Sequence, residues 1–371
     1  SSSSPACGTL WPTLRERAPA RPLSPARPAR LSPPANMPWA PRRAGQPDPT
    51  AAIACCRPPL GSAPGHVCGA RHPEAPERLR ACFGNLTGRG LWRELKQLPQ
   101  RAATDDELSL CHDPGHLRGL QAAAEAARRG GRALYLPPGG CLRGVEPCDL
   151  PRVPAPGLDT YIAAGSMDAA RASAGGLLAL VDEALGHGPR RGLGLCRPPG
   201  HHAGRASCAG FCLLNNVAVA AAYACAAHPD KVRRVLIFDW DVHHGQGTQE
   251  IFWADPRVLV FSAHRHGVAF YPGTGDAGEV GEGPGLGFTV NAPLPAGYGD
   301  GCLWAVCAEL LLPAARRFRP DLILVSAGFD AVAGDPLGGC ACTPRGFGAL
   351  ARELLCLADQ LCHGRLLLAL E

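Results

Sequence analysis

The sequence predicts an α/β fold in which a parallel sheet lies between two layers of helices. Short apolar, β-prone runs alternate with helix-length segments in the second half of the chain, a pattern typical of parallel sheets covered on both faces. The run at residues 235–238, Val-Leu-Ile-Phe, is apolar throughout, as expected for a strand buried on both faces. The chain has 371 residues, 46% of them hydrophobic, which is enough for one large domain or two ordinary ones.

The elements before residue 190 are mainly helical. Residues 72–78, His-Pro-Glu-Ala-Pro-Glu-Arg, form a polar turn that leads into a helix. Thr104 is followed three residues later by Glu107, a capping-box pattern that begins a short helix. The remaining segments predict an Ala-rich helix at residues 121–129, a loop at 137–157 and a long, tightly packed Ala- and Gly-rich helix at 163–186.

The later elements mostly alternate between strand and helix. The predicted strands are residues 193–196, 235–238, 258–262, 322–326 and 365–371. The predicted helices are residues 215–227, 303–318 and 346–360. This order supports one α/β domain that extends from residue 64 to residue 371.

Residues 1–60 are rich in Ser, Pro, Ala and Arg, with Glu16 and Asp48 as their only acids. Such a segment cannot bury enough apolar surface to offset its ordering entropy, which predicts disorder. Its composition suits a transit peptide for a plastid or mitochondrion. The alternative is a compositionally biased tail, or translated upstream sequence with Met37 as the true start, in a protein of the cytoplasm or nucleus.

Composition argues against two classes of partner. The net charge is +5, but much of the surplus lies near the N-terminus and no basic stripe with interleaved aromatics occurs, so no direct nucleic-acid binding is expected. No stretch approaches the ~18 uninterrupted apolar residues of a membrane span. The 18 cysteines are scattered through apolar segments, which favours buried thiols over a disulfide framework.

Charged and imidazole side chains follow the predicted strand at residues 235–238. Asp239, Asp241 and His243 are two positions apart, so on extended backbone they face the same way. Carboxylates and imidazole are ligands of catalytic zinc or a similar divalent ion. Ligands of open α/β sheets bind beyond the carboxyl ends of the strands. The alternative interpretation is a solvated Asp/His turn after a core strand.

Three further predicted strands end in the same kind of residue. Two histidines follow a Pro-Pro-Gly turn at residues 198–202, Ser262-Ala-His264 ends another strand, and Ser326-Ala-Gly-Phe-Asp330 ends a third. A lone histidine is more often a structural group than a catalyst. Because the carboxyl ends of parallel strands meet at one edge of a sheet, four such ends together predict a shared site.

Five motifs in this order resemble the zinc-dependent histone deacetylase family, with its acetylpolyamine amidohydrolase relatives. They are Arg197-Pro-Pro-Gly-His-His, Gly210-Phe-Cys-Leu-Leu-Asn-Asn, Asp239-Trp-Asp-Val-His-His-Gly, Tyr271-Pro-Gly-Thr-Gly and Ser326-Ala-Gly-Phe-Asp330. The resemblance runs from about His66 to Glu371, and two of the motifs are similar to the class II branch. It implies a three-layer fold of the arginase/deacetylase type. It also implies hydrolysis of N6-acetyl-lysine in histones or other proteins, with release of acetate.

The resemblance also implies roles for residues of this chain. The ligands of one zinc ion would be Asp241, His243 and Asp330. The tandem histidines that move protons would be His201 and His202, with His202 favoured as the general base and Asp239 orienting His201. A structural potassium ion would be held by Asp239 and Ser262 and by the carbonyls of Asp241, His243 and Ala263.

The same resemblance implies a tunnel for the acylated lysine. Phe211 and Tyr271 would form its walls, Gly210 would lie at its mouth, and Asp159 would be the rim carboxylate that holds the substrate backbone. From residue type alone, the two aromatics are more readily ordinary core residues, and any loop aspartate would fit as well as Asp159.

Two positions depart from the broader pattern. Gln246 stands where many class I members have an aspartate beside the second histidine; an amide can still orient an imidazole, and class II members commonly have one there. Leu337, in Gly-Asp-Pro-Leu, stands where polyamine-selective relatives carry an acidic residue. A neutral gate favours acetylated proteins or peptides as substrates; the alternative is an acetylpolyamine or another small amide.

The chain stops at Glu371, where the family continues into Gly-Gly-Tyr and the tyrosine hydrogen-bonds the developing oxyanion. The non-Met start and the stop inside a motif predict a fragment of a longer protein. The alternative is a metal-binding pseudo-deacetylase with impaired catalysis. The sequence does not identify co-repressor partners.

Overall fold

A parallel sheet of eight strands forms the centre of the domain in this computed structural model, which describes residues 53–56, 66–68, 72–137, 139–152 and 158–371. In chain order the strands are β1 Ile53–Cys56, β2 Lys96–Gln97, β3 Leu134–Leu136, β4 Thr160–Ile162, β5 Arg191–Gly194, β6 Val235–Asp239, β7 Val258–Arg265, β8 Thr289–Leu294, β9 Leu322–Ala327 and β10 Leu366–Leu370. The order across the large sheet is β2-β1-β5-β10-β9-β6-β7-β8, and β3 and β4 form a separate antiparallel pair.

Helices cover both faces of this sheet. They are α1 Glu77–Gly88, α2 Asp105–Ser109, α3 Pro114–Gly130, α4 Ser166–Leu185, α5 Asn216–Ala227, α6 Gln246–Phe252, α7 Asp300–Val306, α8 Leu312–Phe318 and α9 Pro344–Leu361. Val235 and Ile237 of β6 pack with α3, α4 and α5, whereas Leu236 and Phe238 pack with α7, α8 and α9. The predicted three-layer α/β fold is therefore confirmed. Among the described residues, no helix is long and apolar enough to cross a membrane.

The carboxyl ends of the central strands bring the predicted site residues together. Asp239, the last residue of β6, is paired with Ser262 of β7 on one side and with Ser326 of β9 on the other. The strand ends are not all neighbours, however, because β10 lies between β5 and β9. The turn after β5, which carries His201 and His202, is therefore separated from the ends of β9 and β6 by the end of β10.

Strand β1 corrects the prediction of disorder at four residues. Ile53–Cys56 lie within the segment 1–60, yet they form a strand that pairs with β2 and β5, and three of the four residues are buried. The run Ile-Ala-Cys-Cys was not predicted as a strand because it is short and lies within Pro- and Arg-rich sequence. The rest of segment 1–60 lies outside the described residues, so its disorder and the domain boundary near residue 64 stay predictions.

Further elements differ from the sequence interpretation; β2, β3, β4 and α6, for example, were not predicted. The single helix predicted at residues 303–318 begins at Asp300 and contains a π-helical turn at Cys307–Leu311. Pro313 follows that turn, and its missing N–H removes one i→i−4 hydrogen bond, which accounts for the irregular turn. Strand β8 was not predicted because it contains Pro293, which an edge strand tolerates.

Helices α2, α3, α5 and α9 begin directly after a residue whose side chain caps the helix. Thr104 and Glu107 form the predicted capping box at the start of α2. Helix α3 begins at Pro114, earlier than the Ala-rich run indicated, because Asp113 accepts a hydrogen bond from the His116 N–H. Most of α4 is buried, as its Ala and Gly content predicted.

A buried ion pair joins the N-terminal part of the domain to the turn after β5. The Arg197 Nε lies 2.6 Å from Glu74 Oε1, and both residues are buried. Tyr161 donates a hydrogen bond to Glu74 Oε2 at 2.8 Å. Burial alone would raise the pKa of Glu74, but His66, Arg197 and Tyr161 hold it at about 2. Arg197 begins the Pro-Pro-Gly-His-His motif, so this pair anchors the histidine turn.

Replacing Glu74 with alanine is expected to lower the free energy of unfolding by about 3–5 kcal/mol, because Arg197 would be left buried without a counter-charge. The matched control is Glu77→Ala, which removes an exposed ion pair with Arg80 and should cost less than about 1 kcal/mol. Urea unfolding followed by tryptophan fluorescence measures both variants. Equal effects of the two substitutions would contradict the anchoring role.

Candidate metal centre and catalytic site

Two carboxylates and one imidazole meet beyond the ends of β6 and β9. One ligand atom from each of Asp241, His243 and Asp330 lies within 4.8 Å of the other two. The His243 Nδ1 is 3.1 Å from Asp241 Oδ1 and 3.0 Å from Asp330 Oδ2. Oxygen and nitrogen donors of these types, converging on one point, fit a zinc ion with a further coordination position left for water or substrate.

Backbone groups hold these carboxylates in place. Asp241 Oδ1 accepts a hydrogen bond from the His243 N–H at 2.8 Å, and Asp330 Oδ1 accepts one from the Val242 N–H at 2.8 Å. The backbone of Gly328 approaches Asp241 so closely that a Cβ there would overlap the carboxylate. The backbone therefore positions both carboxylates, as a metal centre requires of its ligands.

The mutual charges of the centre shift the pKa values of its members. Burial would lower the pKa of His243, but hydrogen bonds to Asp241 and Asp330 raise it to about 9. Burial and the neighbouring Asp241 raise the pKa of Asp330 to about 6. Carboxylates crowded in this way gain from a shared cation, which supports the fit to a divalent ion.

The tandem histidines lie beside the metal centre, and their rings are 3.9 Å apart. The His201 Nδ1 donates to Asp239 Oδ2 at 2.8 Å, and the His202 Nδ1 donates to Gln246 Oε1 at 2.6 Å. Each ring thus has one nitrogen held by a partner, and its Nε2 is left for chemistry. The structure brings Asp239 and Gln246 to the positions that the sequence predicted beside His201 and His202.

The pKa values of the two histidines are shifted in different ways. Burial would lower the pKa of His201, but the adjacent Asp239 carboxylate raises it to about 10. Burial, followed by the positive charge on His201, lowers the pKa of His202 well below its usual value. Their surroundings therefore shift the pKa values of the two rings in opposite directions.

The predicted tunnel residues gather around His202. The Tyr271 ring stands perpendicular to the His202 ring with centroids 5.1 Å apart. A Cβ at Gly210 would overlap the His202 ring, so glycine permits this close approach. Phe211 has a φ of 72°, a conformation that non-glycine residues rarely adopt outside functional sites. Gly210 and Tyr271 therefore border the His202 ring.

Asp159 is linked to the tunnel residues through its neighbours. Its carboxylate accepts a hydrogen bond from Thr160 at 2.9 Å, and the same hydroxyl accepts one from the Phe211 N–H at 3.0 Å. The carbonyl of Asp159 is 2.9 Å from the His72 Nε2, and the His72 ring meets the Phe211 ring at 5.0 Å. Asp159 and Phe211 therefore belong to one locally ordered group.

The remaining predicted residues are Ser262 and Ala263 on β7 and Leu337 on a surface turn. Ser262 is buried beside Asp239 on the next strand, and its hydroxyl is 2.8 Å from the His264 Nδ1. Ala263 follows it, fully buried. The Leu337 side chain is 49% exposed. It lies on a turn in which the Leu337 N–H donates a hydrogen bond to the Asp335 carboxylate.

The Glu371 carboxylate is a buried member of the site that the sequence interpretation missed. Its Oε2 accepts hydrogen bonds from the backbone N–H groups of Gly200 at 2.6 Å and His201 at 3.2 Å. Its Oε1 accepts one from the Ser326 hydroxyl at 3.0 Å. Burial raises its pKa to about 7. Nothing in the local sequence predicts these contacts, because they join three separate strand ends.

A cleft of about 490 Å³ opens beside the tandem histidines. Its lining includes His202, Gln246 and Tyr271, together with more exposed groups such as Glu250 and Thr274. The cleft reaches His202, whereas its lining does not include His201 or the three candidate metal ligands.

Comparison with known proteins identifies the family. The histone deacetylase domain model matches residues 72–371. The chain is 39% identical over 311 residues to histone deacetylase 5 of Arabidopsis thaliana, covering 82% of this chain and 43% of that protein. It is 41% identical over 303 residues to human polyamine deacetylase HDAC10, covering 80% of this chain and 41% of the relative. The chain belongs to the histone deacetylase family.

The family also includes a solved structure and an organellar relative. The crystal structure of the HDA15 HD domain has a TM-score of 0.74 and 38% sequence identity, covering 87% of this chain and 83% of that one. The chloroplastic histone deacetylase 14 of Arabidopsis thaliana is 35% identical over 311 residues, covering 81% of this chain and 68% of the relative. The chain spans less than half the length of histone deacetylase 5. The predicted family and the arginase/deacetylase type of fold are confirmed.

Proposed function

We propose that the protein is a zinc-dependent deacetylase that hydrolyses N6-acetyl-lysine in proteins or peptides and releases acetate. The observation that carries this proposal is the convergence of Asp241, His243 and Asp330 within 4.8 Å, beside two buried histidines. The test is acetate release from an acetyl-lysine peptide in the presence of zinc. A protein that binds zinc but releases no acetate would contradict the proposed activity.

The proposed chemistry divides between the metal and the chain. When bound, zinc acidifies its water ligand and polarises the acetyl carbonyl. Burial lowers the pKa of His202, and Gln246 holds its Nδ1–H, so its Nε2 accepts the proton of the attacking water. His201 is kept charged by Asp239, and the pair delivers a proton to the leaving lysine amine. In this assignment Asp239 is a positioning residue, because it acts through His201.

The substrate side chain would enter between Phe211 and Tyr271. Aromatic walls suit the apolar methylene stem of lysine, while Gly210 allows the chain to pass close to His202. Asp159 would accept hydrogen bonds from the substrate backbone at the rim. An acetylated protein or peptide is the proposed partner.

A structural potassium ion is a further part of the proposal. Asp239 and Ser262 are directly paired on neighbouring strands, and the carbonyls of Asp241, His243 and Ala263 would complete the set. Oxygen donors alone suit a hard cation of this kind. For the location of the protein, the chloroplastic relative supports the plastid alternative, and the family as a whole is compatible with the cytoplasm or nucleus.

An acetylpolyamine is the second candidate substrate, because two relatives are named polyamine deacetylases. A polyamine carries a second ammonium group, which an acidic gate would stabilise. Leu337 offers no charge at that position and is 49% exposed. This neutral gate favours the acetyl-lysine peptide.

Replacing Leu337 with glutamate is therefore expected to raise kcat/KM for N8-acetylspermidine relative to an acetyl-lysine peptide by about 10-fold. The reason is that the glutamate would form one favourable charge pair with the second ammonium group near the protein surface. Leu337→Gln is the matched control, since it adds polarity without charge and should leave the ratio unchanged. Paired assays with the two substrates measure the ratio. A wild-type protein that already prefers the polyamine would contradict the peptide assignment.

A further inference from the structure

Three side chains form a continuous stack behind the metal centre. The Phe270 ring lies parallel to the His243 ring, with an interplanar angle of 1° and centroids 5.1 Å apart. The Arg265 guanidinium lies 4.1 Å from the centroid of Phe270. Cations over aromatic faces and offset parallel rings are both favourable arrangements. The stack therefore connects a charged side chain at the end of β7 to a candidate metal ligand.

Backbone contacts fix the outer member of this stack. The Arg265 N–H donates to the Val242 carbonyl at 2.8 Å, which ties the end of β7 to the segment that carries His243. The Arg265 Nη1 donates to the Gly338 carbonyl at 3.0 Å, which ties the same side chain to the turn that carries Leu337. Both ends of Arg265 are thus held by segments that border the site.

The imidazole of His243 is held in place by different groups from those that hold the two carboxylate ligands. Backbone N–H groups hold Asp241 and Asp330, whereas the only oxygens beside the His243 Nδ1 in the described part of the chain are those two ligand carboxylates themselves. When a metal takes that nitrogen, the ring plane must be set by something else. Phe270 is in the right place to set it.

We propose that Phe270 and Arg265 are positioning residues that fix the ring plane of His243 for metal binding. This inference rests on the proposed metal centre. Outer groups that orient metal ligands typically contribute 10- to 100-fold to metal affinity, usually through a hydrogen bond to the ligand. Here the orientation comes from ring stacking, with Arg265 holding Phe270 against His243 and joining it to the Leu337 turn.

The test is a Co²⁺ titration of the purified protein, because the visible absorption of Co²⁺ reports the geometry of its ligands. Phe270→Leu keeps apolar bulk and removes the ring; it is expected to weaken Co²⁺ and Zn²⁺ affinity by about 10-fold or more and to change the Co²⁺ spectrum. Phe270→Tyr keeps the ring and should restore both. Val268→Ala is the matched control, since Val268 lies on the same loop and is fully exposed.

Arg265→Gln provides a second variant that leaves Phe270 in place. It is expected to weaken the affinity by a smaller factor and to shift the Co²⁺ spectrum in the same direction. Wild-type affinity and spectrum in both Phe270→Leu and Arg265→Gln would overturn the positioning role while leaving the metal centre intact. A wild-type protein that binds neither Co²⁺ nor Zn²⁺ would overturn both proposals.

Discussion

Replacing Asp241 with alanine is expected to abolish zinc binding and, with it, acetate release. The substitution removes one of three ligands and leaves His243 and Asp330 with two donors, too few for a stable site. It also removes a negative charge that stabilises the protonated His201. We expect zinc affinity to fall by more than about 100-fold, beyond the loss seen when only an outer partner is removed. Isothermal titration calorimetry with zinc measures the loss of affinity, and an acetate assay measures the loss of turnover.

The control for this prediction is Asp230→Ala. Asp230 is an exposed loop carboxylate before the amino end of β6, whereas the predicted ligands follow the carboxyl end of that strand, and its removal should change neither zinc affinity nor turnover. Circular dichroism of both variants checks that the fold persists. An Asp241→Ala protein that keeps the wild-type rate would show that the metal assignment is wrong.

Replacing His202 with alanine is expected to reduce kcat by about 10²- to 10⁴-fold, the range typical of a lost general base. Zinc affinity should change little, since His202 is not among the three candidate ligands. The prediction thus separates proton transfer from metal binding. Steady-state kinetics and a zinc titration on the same preparation measure the two quantities.

His187→Ala is the matched control, because His187 is exposed in the loop before β5 and should be without effect on kcat. A His202→Ala protein with a kcat within a few-fold of wild type would contradict its assignment as the base. A His202→Ala protein that loses zinc would instead place His202 in the metal centre.

The sequence predicted the parts of the fold that depend on local pattern. The apolar runs of β6 and β9 and the Ala-rich α4 and α5 were identified from their composition, which is largely apolar. The order of strands across the sheet was not predictable in this way. Strand β10 comes last in the chain but lies between β5 and β9, and only long-range packing determines such an insertion.

In the candidate site, too, some features could be predicted from local sequence and others could not. The motifs indicated which polar side chains would meet, and the structure places Asp241, His243 and Asp330 together as expected. The contacts that support them were not predictable, because they join residues distant in sequence. Glu371 bonds to the backbone of Gly200, and Phe270 stacks on His243. An isolated phenylalanine or glutamate carries no sequence signal for such a role.

The measurement that tests the central claim most directly is acetate release after metal removal and stepwise return of zinc. The protein is treated with a chelator, dialysed, and assayed with an acetyl-lysine peptide at increasing zinc. The account predicts no release without metal and a rate that rises to a plateau at one equivalent of zinc. A rate that is unaffected by chelation, or no acetate release with one zinc bound, would contradict it.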